Sequence, residues 1–164
     1  MLNSIIFMKL SSHSSRSAAF SLVEIMIVLA ILADLAIIAI PAYDRARKTA
    51  QNGRFASDLQ TISAAFQIYN VETQKYPPEA AVGVVPTGMD VYLRGVDWTN
   101  KNSLGGQWDW DFNQSYARAA INTVQPVDAN TLQMVDLDNR IDNGVLATGQ
   151  FRERDARHYA MILE

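Results

Sequence analysis

The chain contains no cysteine and only two histidines. Without cysteine no disulfide can close a loop, so the folded part must depend on its apolar core. His13 lies near the N-terminus, and His158 lies near the C-terminus among charged residues, which favours a charged surface over a catalytic pair. The sequence also lacks a phosphate-binding glycine loop, a zinc-ligand spacing and a nucleophile elbow. We therefore expect a protein that is not an enzyme and that needs no cofactor.

An excess of positive charge is also missing. Lysine and arginine together number 14 and aspartate and glutamate number 17, which gives a formal net charge of −3 and a pI of about 5.3. This balance offers no electrostatic attraction for nucleic acid. The chain has 164 residues. After a leader and a membrane helix are subtracted, the remainder suits one small globular domain.

One long apolar run, residues 18–42, dominates the first third of the chain. At about 1.5 Å per residue, a helix of this length extends for roughly 37 Å, enough to cross a bilayer core with some tilt. Two carboxylates interrupt it, Glu24 and Asp34, and the helical neighbours of Asp34 are all apolar. A charge at the bilayer centre costs at least roughly 2.5 kcal/mol, so each carboxylate requires a partner or a functional role. The alternative interpretation is a buried core helix.

The start of this run carries a recognisable motif. Phe20-Ser21-Leu22-Val23-Glu24 follows a short polar leader and opens the apolar helix. It resembles the processing site of type IV pilin-like proteins, a class that includes pilins and the pseudopilins of type II secretion. Pro41 inside the helix is a further family feature, whereas Ala19 departs from the glycine that usually precedes the cut. The lack of a C-terminal disulfide loop, which many pilins carry, favours a pseudopilin.

The resemblance implies that prepilin peptidase cuts between Ala19 and Phe20 and that the new Phe20 amine is N-methylated. It also implies that Glu24 and Pro41 act in filament assembly, with Glu24 pairing with the Phe20 amine of its own or a neighbouring helix. Because no residue of its own helix can pair with Asp34, we expect Asp34 to face the assembled bundle or a polar partner there. The expected partners are other pilin-like subunits, the peptidase and methyltransferase, and an inner-membrane assembly platform. The family places the C-terminal head in the periplasm or outside. Charge counting leaves that orientation open, because basic residues also follow the apolar run: Arg45, Arg47, Lys48 and Arg54.

The second half of the helix is amphipathic. Its larger apolar residues recur at spacings of four, three, four and three, which places them in one stripe: Phe55, Leu59, Ile62, Phe66 and Tyr69. We therefore predict a single helix over roughly residues 20–71. Pro41 is expected to kink or loosen it, and Gly53 is a weaker point that we interpret as a harmless exposed glycine.

Beyond the helix, the pattern predicts a small head. Trp108, Trp110 and Phe112 alternate with polar residues, as in a strand whose aromatic side chains pack on the long helix, and residues 117–124 would form its antiparallel neighbour. Asp109 and Asp111 share the other face, which indicates either a calcium site or simply a solvated face. A short helix over residues 131–142 follows, and then a closing segment over residues 149–163 that contains a final strand. The helix would point Leu132, Val135, Leu137 and Ile141 inward, and the strand would alternate at Tyr159, Met161 and Leu163.

The predicted fold class is thus α+β, with a long N-terminal helix packed on a small antiparallel sheet. We divide the chain into a leader (1–19), a transmembrane and assembly half of the helix (20–42), an amphipathic second half (43–72) and a globular head (73–164). The predicted function is that of a structural subunit of a type II secretion or type IV pilus-like filament. The alternative is a single-pass membrane-anchored binding or sensory module that keeps an uncleaved signal anchor.

Overall fold

The computed structural model describes residues 21–164. The protein is α+β and begins with one long helix, α1 (Leu22–Thr73), as predicted. Helix-forming residues continue without interruption past Pro41, although proline supplies no N–H and therefore leaves the Ile37 carbonyl without its intrahelical donor. The helix ends where Gln74 adopts a φ of 59°, two residues before the Tyr76-Pro77 step.

The chain divides into two compact units between Ala42 and Tyr43. The described part of the first unit is the apolar half of α1, whose side chains are exposed, except that Ala36 is half-buried. α1 is long and apolar enough near the N-terminus to cross a membrane.

The second unit contains a four-stranded antiparallel sheet. Its strands are β1 (Gln107–Gln114), β2 (Ala117–Val124), β3 (Phe151–Asp155) and β4 (His158–Ile162), and a second helix, α2 (Thr131–Ile141), lies between β2 and β3 in the chain. The spatial order is β1-β2-β4-β3. In the β1–β2 hairpin, Trp110 lies opposite Ile121. The predicted hairpin is therefore confirmed.

The core lies between the second half of α1 and the sheet. Phe55 stacks on Trp108 with ring centroids 4.9 Å apart, and Phe66 stacks on Trp110 at 4.0 Å. All three tryptophans are buried, and the loop residue Trp98 packs against Phe66 at 5.8 Å. The predicted apolar stripe of α1 thus faces the predicted aromatic face of β1. Gly53 lies outside this contact, and a Cβ added there would meet nothing within 4 Å.

Two predicted details of the head are wrong. The predicted final strand through Tyr159 and Met161 is β4, but Leu163 falls beyond its end, and the same closing segment contains β3, which was not predicted. Leu132 does not point inward, because its side chain is 79% exposed. The buried positions of α2 are instead Gln133, Met134, Leu137 and Asp138. Hydrogen bonds between Gln133 and α1, described below, accompany this rotation of α2.

Candidate functional site

The apolar half of α1 begins with a reciprocal pair of hydrogen bonds. The Ser21 N–H donates to Glu24 Oε2 at 2.8 Å, and the Glu24 N–H donates to Ser21 Oγ at 3.2 Å. This arrangement is a capping box, which satisfies donors that the first turn of a helix leaves free. The Ser-x-x-Glu spacing is visible in the sequence, although the family resemblance points only to a role of Glu24 in assembly. Glu24 therefore has a local role in starting the helix.

The capping box uses only one oxygen of the Glu24 carboxylate. Within residues 21–164, Oε1 has no hydrogen-bond partner, and the whole side chain is exposed. A carboxylate has two oxygens that can each accept more than one hydrogen bond. The group can therefore cap its own helix and still accept a bond from a positive group. The predicted cleavage and methylation positions, Ala19 and Phe20, lie outside the described residues.

Asp34 and Pro41 lie farther along the same exposed segment. Among residues 21–164, no salt bridge or side-chain hydrogen bond involves Asp34, whose helical neighbours include the exposed Ile31, Ile37 and Ile38. The carboxylate thus lies on an apolar helix without a local partner. Pro41 lies one residue before the boundary between the two units.

The candidate calcium ligands Asp109 and Asp111 lie on the face of β1 opposite the core. Both are buried, so the alternative prediction of a solvated face is wrong. Asp111 Oδ2 is 2.6 Å from Arg154 Nη1 and also accepts a hydrogen bond from the Tyr116 hydroxyl. The Arg154 guanidinium lies over the Tyr116 ring, 4.8 Å from its centroid.

This packing explains two altered acidities. Burial is the largest cause that raises the pKa of Asp109 to about 6, and the nearby charges of Asp111 and Glu79 add to it. Burial and the bond to Asp111 raise the pKa of the Tyr116 hydroxyl to about 12. A calcium ion needs several free oxygens, whereas here Arg154 already occupies the side of Asp111 that a cation would use. Among residues 21–164, no group of three acidic or metal-ligating side chains is close enough to hold a metal. The arrangement therefore fits an ion-paired sheet face better than a calcium site.

A second polar network was not predicted, and it links α1 to α2. Asn52 is only 1% exposed. Its Nδ2 donates to Asp136 Oδ2 at 2.8 Å, while Gln133 Nε2 donates to Asn52 Oδ1 at 2.9 Å. Asn130 caps α2 by accepting a hydrogen bond from the Gln133 N–H at 2.9 Å. The only trace of this network in the sequence is that Asn52 lies three residues before Phe55, in line with the apolar stripe.

The sites described above therefore comprise an exposed apolar helix with two carboxylates, an ion-paired sheet face and a polar junction between the helices. Comparison of the chain with known families, curated proteins and solved structures finds no match to any of them.

Proposed function

We propose that the protein is a pilin-like filament subunit, closest to a pseudopilin of type II secretion, that assembles through the apolar half of α1. The observation that supports this most is the exposed apolar surface of that segment, which begins with the capping box of Ser21 and Glu24. Its large side chains, such as Leu22 and Ile38, are among the most exposed in the protein. Burying each would contribute about 1.5 to 3 kcal/mol, so the segment requires lipid or partner helices around it.

The two carboxylates favour partner helices over lipid alone. Asp34 has no partner in its own helix, and a charge at the bilayer centre costs at least roughly 2.5 kcal/mol. In a bundle of subunits, Asp34 can face a polar group of another helix. Glu24 Oε1 has no hydrogen-bond partner within residues 21–164 and can accept a hydrogen bond from the Phe20 amine that cleavage would create on a neighbouring subunit. Such a pair offsets part of the desolvation cost of both groups and would fix the register between subunits.

The proposal also includes the processing steps that create the Phe20 amine for this pairing. Prepilin peptidase cuts before Phe20, the methyltransferase modifies the amine, and an inner-membrane platform adds the subunit to a filament with the head outside. Methylation leaves the amine positively charged, so it remains a partner for Glu24.

Three substitutions separate the capping role of Glu24 from its pairing role. Glu24→Gln keeps the capping box, since glutamine also serves at this position, but removes the negative charge. Ser21→Ala weakens the capping box and keeps the charge. Glu24→Leu removes both interactions. Tagged variants are expressed with untagged wild type at matched membrane levels, and co-purification after cross-linking is measured.

If Glu24 pairs with an amine, Glu24→Gln and Glu24→Leu both lose co-assembly while Ser21→Ala retains it. If Glu24 acts only as a cap, Glu24→Gln assembles normally and Ser21→Ala is the weaker variant. Normal co-assembly of Glu24→Leu would show that assembly needs neither the cap nor the charge of Glu24, and would contradict the proposed pairing.

A second candidate function is a lone membrane-anchored binding or sensory module. One observation favours it: Arg45, Arg47 and Lys48 follow the apolar segment and are exposed. The positive-inside rule would place these residues in the cytoplasm, whereas in a filament subunit the residues after the apolar segment lie outside. This module would keep its leader and would not depend on the Glu24 charge.

A further inference from the structure

A groove in the second unit combines basic and apolar side chains. It has a volume of about 370 Å³ and lies between the start of the second half of α1 and the start of α2. α1 contributes Arg45, Lys48, Thr49 and Asn52, and α2 with its cap contributes Asn130, Leu132, Gln133 and Asp136. The Asn52–Gln133 hydrogen bond holds the two walls together.

The positive charge of this groove is not neutralised by its own carboxylate. Asp136 already accepts a hydrogen bond from Asn52 and lies 3.7 Å from Arg140 on its own helix. Arg45 and Lys48 are exposed and form no ion pair within residues 21–164. The first turn of α2 adds the partial positive charge of a helix N-terminus. The groove is therefore complementary to an anion.

Of two further features of the groove, only one indicates what kind of anion fits. Gln133 is 5% exposed, and its Oε1 is buried with no hydrogen-bond partner within residues 21–164. This oxygen lies out of reach of a ligand in the groove and does not help to select one. Leu132 lines the same groove and is largely exposed. An amphipathic ligand with an anionic group and apolar parts matches the charge of the groove and this exposed apolar side chain.

The position of the groove along α1 indicates that this ligand is a lipid of the surrounding membrane. Arg45 and Lys48 follow Ala42 by three and six residues, or about 5 and 9 Å along a helix axis. The headgroup layer on each side of a bilayer core is roughly 5 to 8 Å thick. Where the apolar segment ends at the edge of the core, these cations reach the depth of the lipid phosphates.

We infer that this groove binds the headgroup of an anionic phospholipid in the bilayer that holds the apolar half of α1, and phosphatidylglycerol serves as the probe for it below. Arg45 and Lys48 contact the phosphate. The inference rests on the membrane-spanning segment of the proposed function but not on filament assembly.

The test uses the full chain in nanodiscs of phosphatidylcholine and phosphatidylglycerol. After transfer to mild detergent, native mass spectrometry counts the lipids that stay bound. We expect a preference for phosphatidylglycerol that weakens at high salt. Each cation removed by Arg45→Gln or Lys48→Gln should lower retention about fivefold, the factor that corresponds to about 1 kcal/mol. The matched control is Arg47→Gln with Arg54→Gln, which removes the same charge from residues lining a different groove.

The control pair should stay within about twofold of wild type, since neither Arg47 nor Arg54 lines the proposed groove. If Arg45→Gln with Lys48→Gln and the control pair lower lipid retention equally, the lipid is attracted by charge alone, and the proposed site is refuted. A wild type without preference for phosphatidylglycerol would refute it as well. If Arg45→Gln with Lys48→Gln lowers subunit co-purification but leaves lipid retention unchanged, the groove is a subunit contact instead. Failure of filament assembly leaves the lipid test valid, because a lone anchored chain contains the same segment.

Discussion

The buried carboxyl of Asp109 leads to a quantitative prediction about pH and stability. Burial and neighbouring acids raise its pKa from 3.8 to about 6. At about 1.4 kcal/mol per pKa unit, this difference corresponds to about 3 kcal/mol. Because the folded state holds the proton more tightly than the unfolded state does, the stabilisation is fully present below about pH 4 and is lost as the pH rises through about 6. Above that pH, the folded protein carries a buried charge.

We therefore expect Asp109→Asn, which keeps the shape without the charge, to raise the free energy of unfolding by about 1 to 3 kcal/mol at pH 8. The difference between variant and wild type should shrink towards zero near pH 4. Urea unfolding of the full chain in detergent micelles, followed by tryptophan fluorescence, measures it. All three tryptophans are buried in the second unit, so the signal reports unfolding of that unit.

Asp90→Asn is the matched control, since Asp90 is an exposed aspartate in the same unit. It should change the free energy of unfolding by no more than roughly 0.5 kcal/mol at either pH. If Asp109→Asn instead destabilises the protein at pH 8, or if its difference from wild type is the same at pH 4 and pH 8, the burial argument is refuted.

Three further predictions concern stability in the same urea assay. Gly53→Ala should raise the free energy of unfolding by about 0.5 to 1 kcal/mol, because the position is helical and has room for a Cβ. A lower free energy of unfolding would mean that another group contacts α1 at Gly53. Phe66→Ala should cost about 3 to 5 kcal/mol by leaving a cavity beside Trp110, and a cost below about 1 kcal/mol would contradict the packing. Asn52→Ala should cost about 1 to 3 kcal/mol by leaving Gln133 Nε2 unpaired. Unchanged stability would mean that water replaces the amide.

The long helix and the first hairpin could be predicted from the sequence because their signals are local. The apolar stripe through Phe55 and Phe66 has helical spacing, and the aromatics of β1 alternate with period two. Each pattern marks a face that must be buried, and the structure brings the two faces together. Strong periodicity over many residues is therefore enough to predict both elements, without knowledge of any tertiary contact.

β3 and the rotation of α2 could not be predicted in this way. β3 contains the run Arg152-Glu153-Arg154-Asp155, which has no apolar alternation, and it becomes a strand through pairing with β4 and the ion pair between Arg154 and Asp111. α2 buries Gln133 because its amide meets Asn52 across 81 positions of sequence. Both depend on long-range polar contacts, which leave little trace in hydropathy.

The candidate site shows the same division. The exposed apolar segment and its two carboxylates follow from composition alone, and the Ser-x-x-Glu capping box was available from spacing. The burial of Asp109 and Asp111 could not be predicted, because Asp111 pairs with Arg154, which lies 43 residues farther along the chain.

The measurement that tests the proposed function most directly is the intact mass of the protein isolated from membranes, with sequencing of its N-terminal peptide. A processed filament subunit should begin at Phe20 and carry a methyl group on that amine. Its Glu24 would then be the fifth residue, about one helical turn from the new positive charge. A membrane form that still contains Arg16 and lacks the methyl group would contradict the account and favour the lone membrane-anchored module.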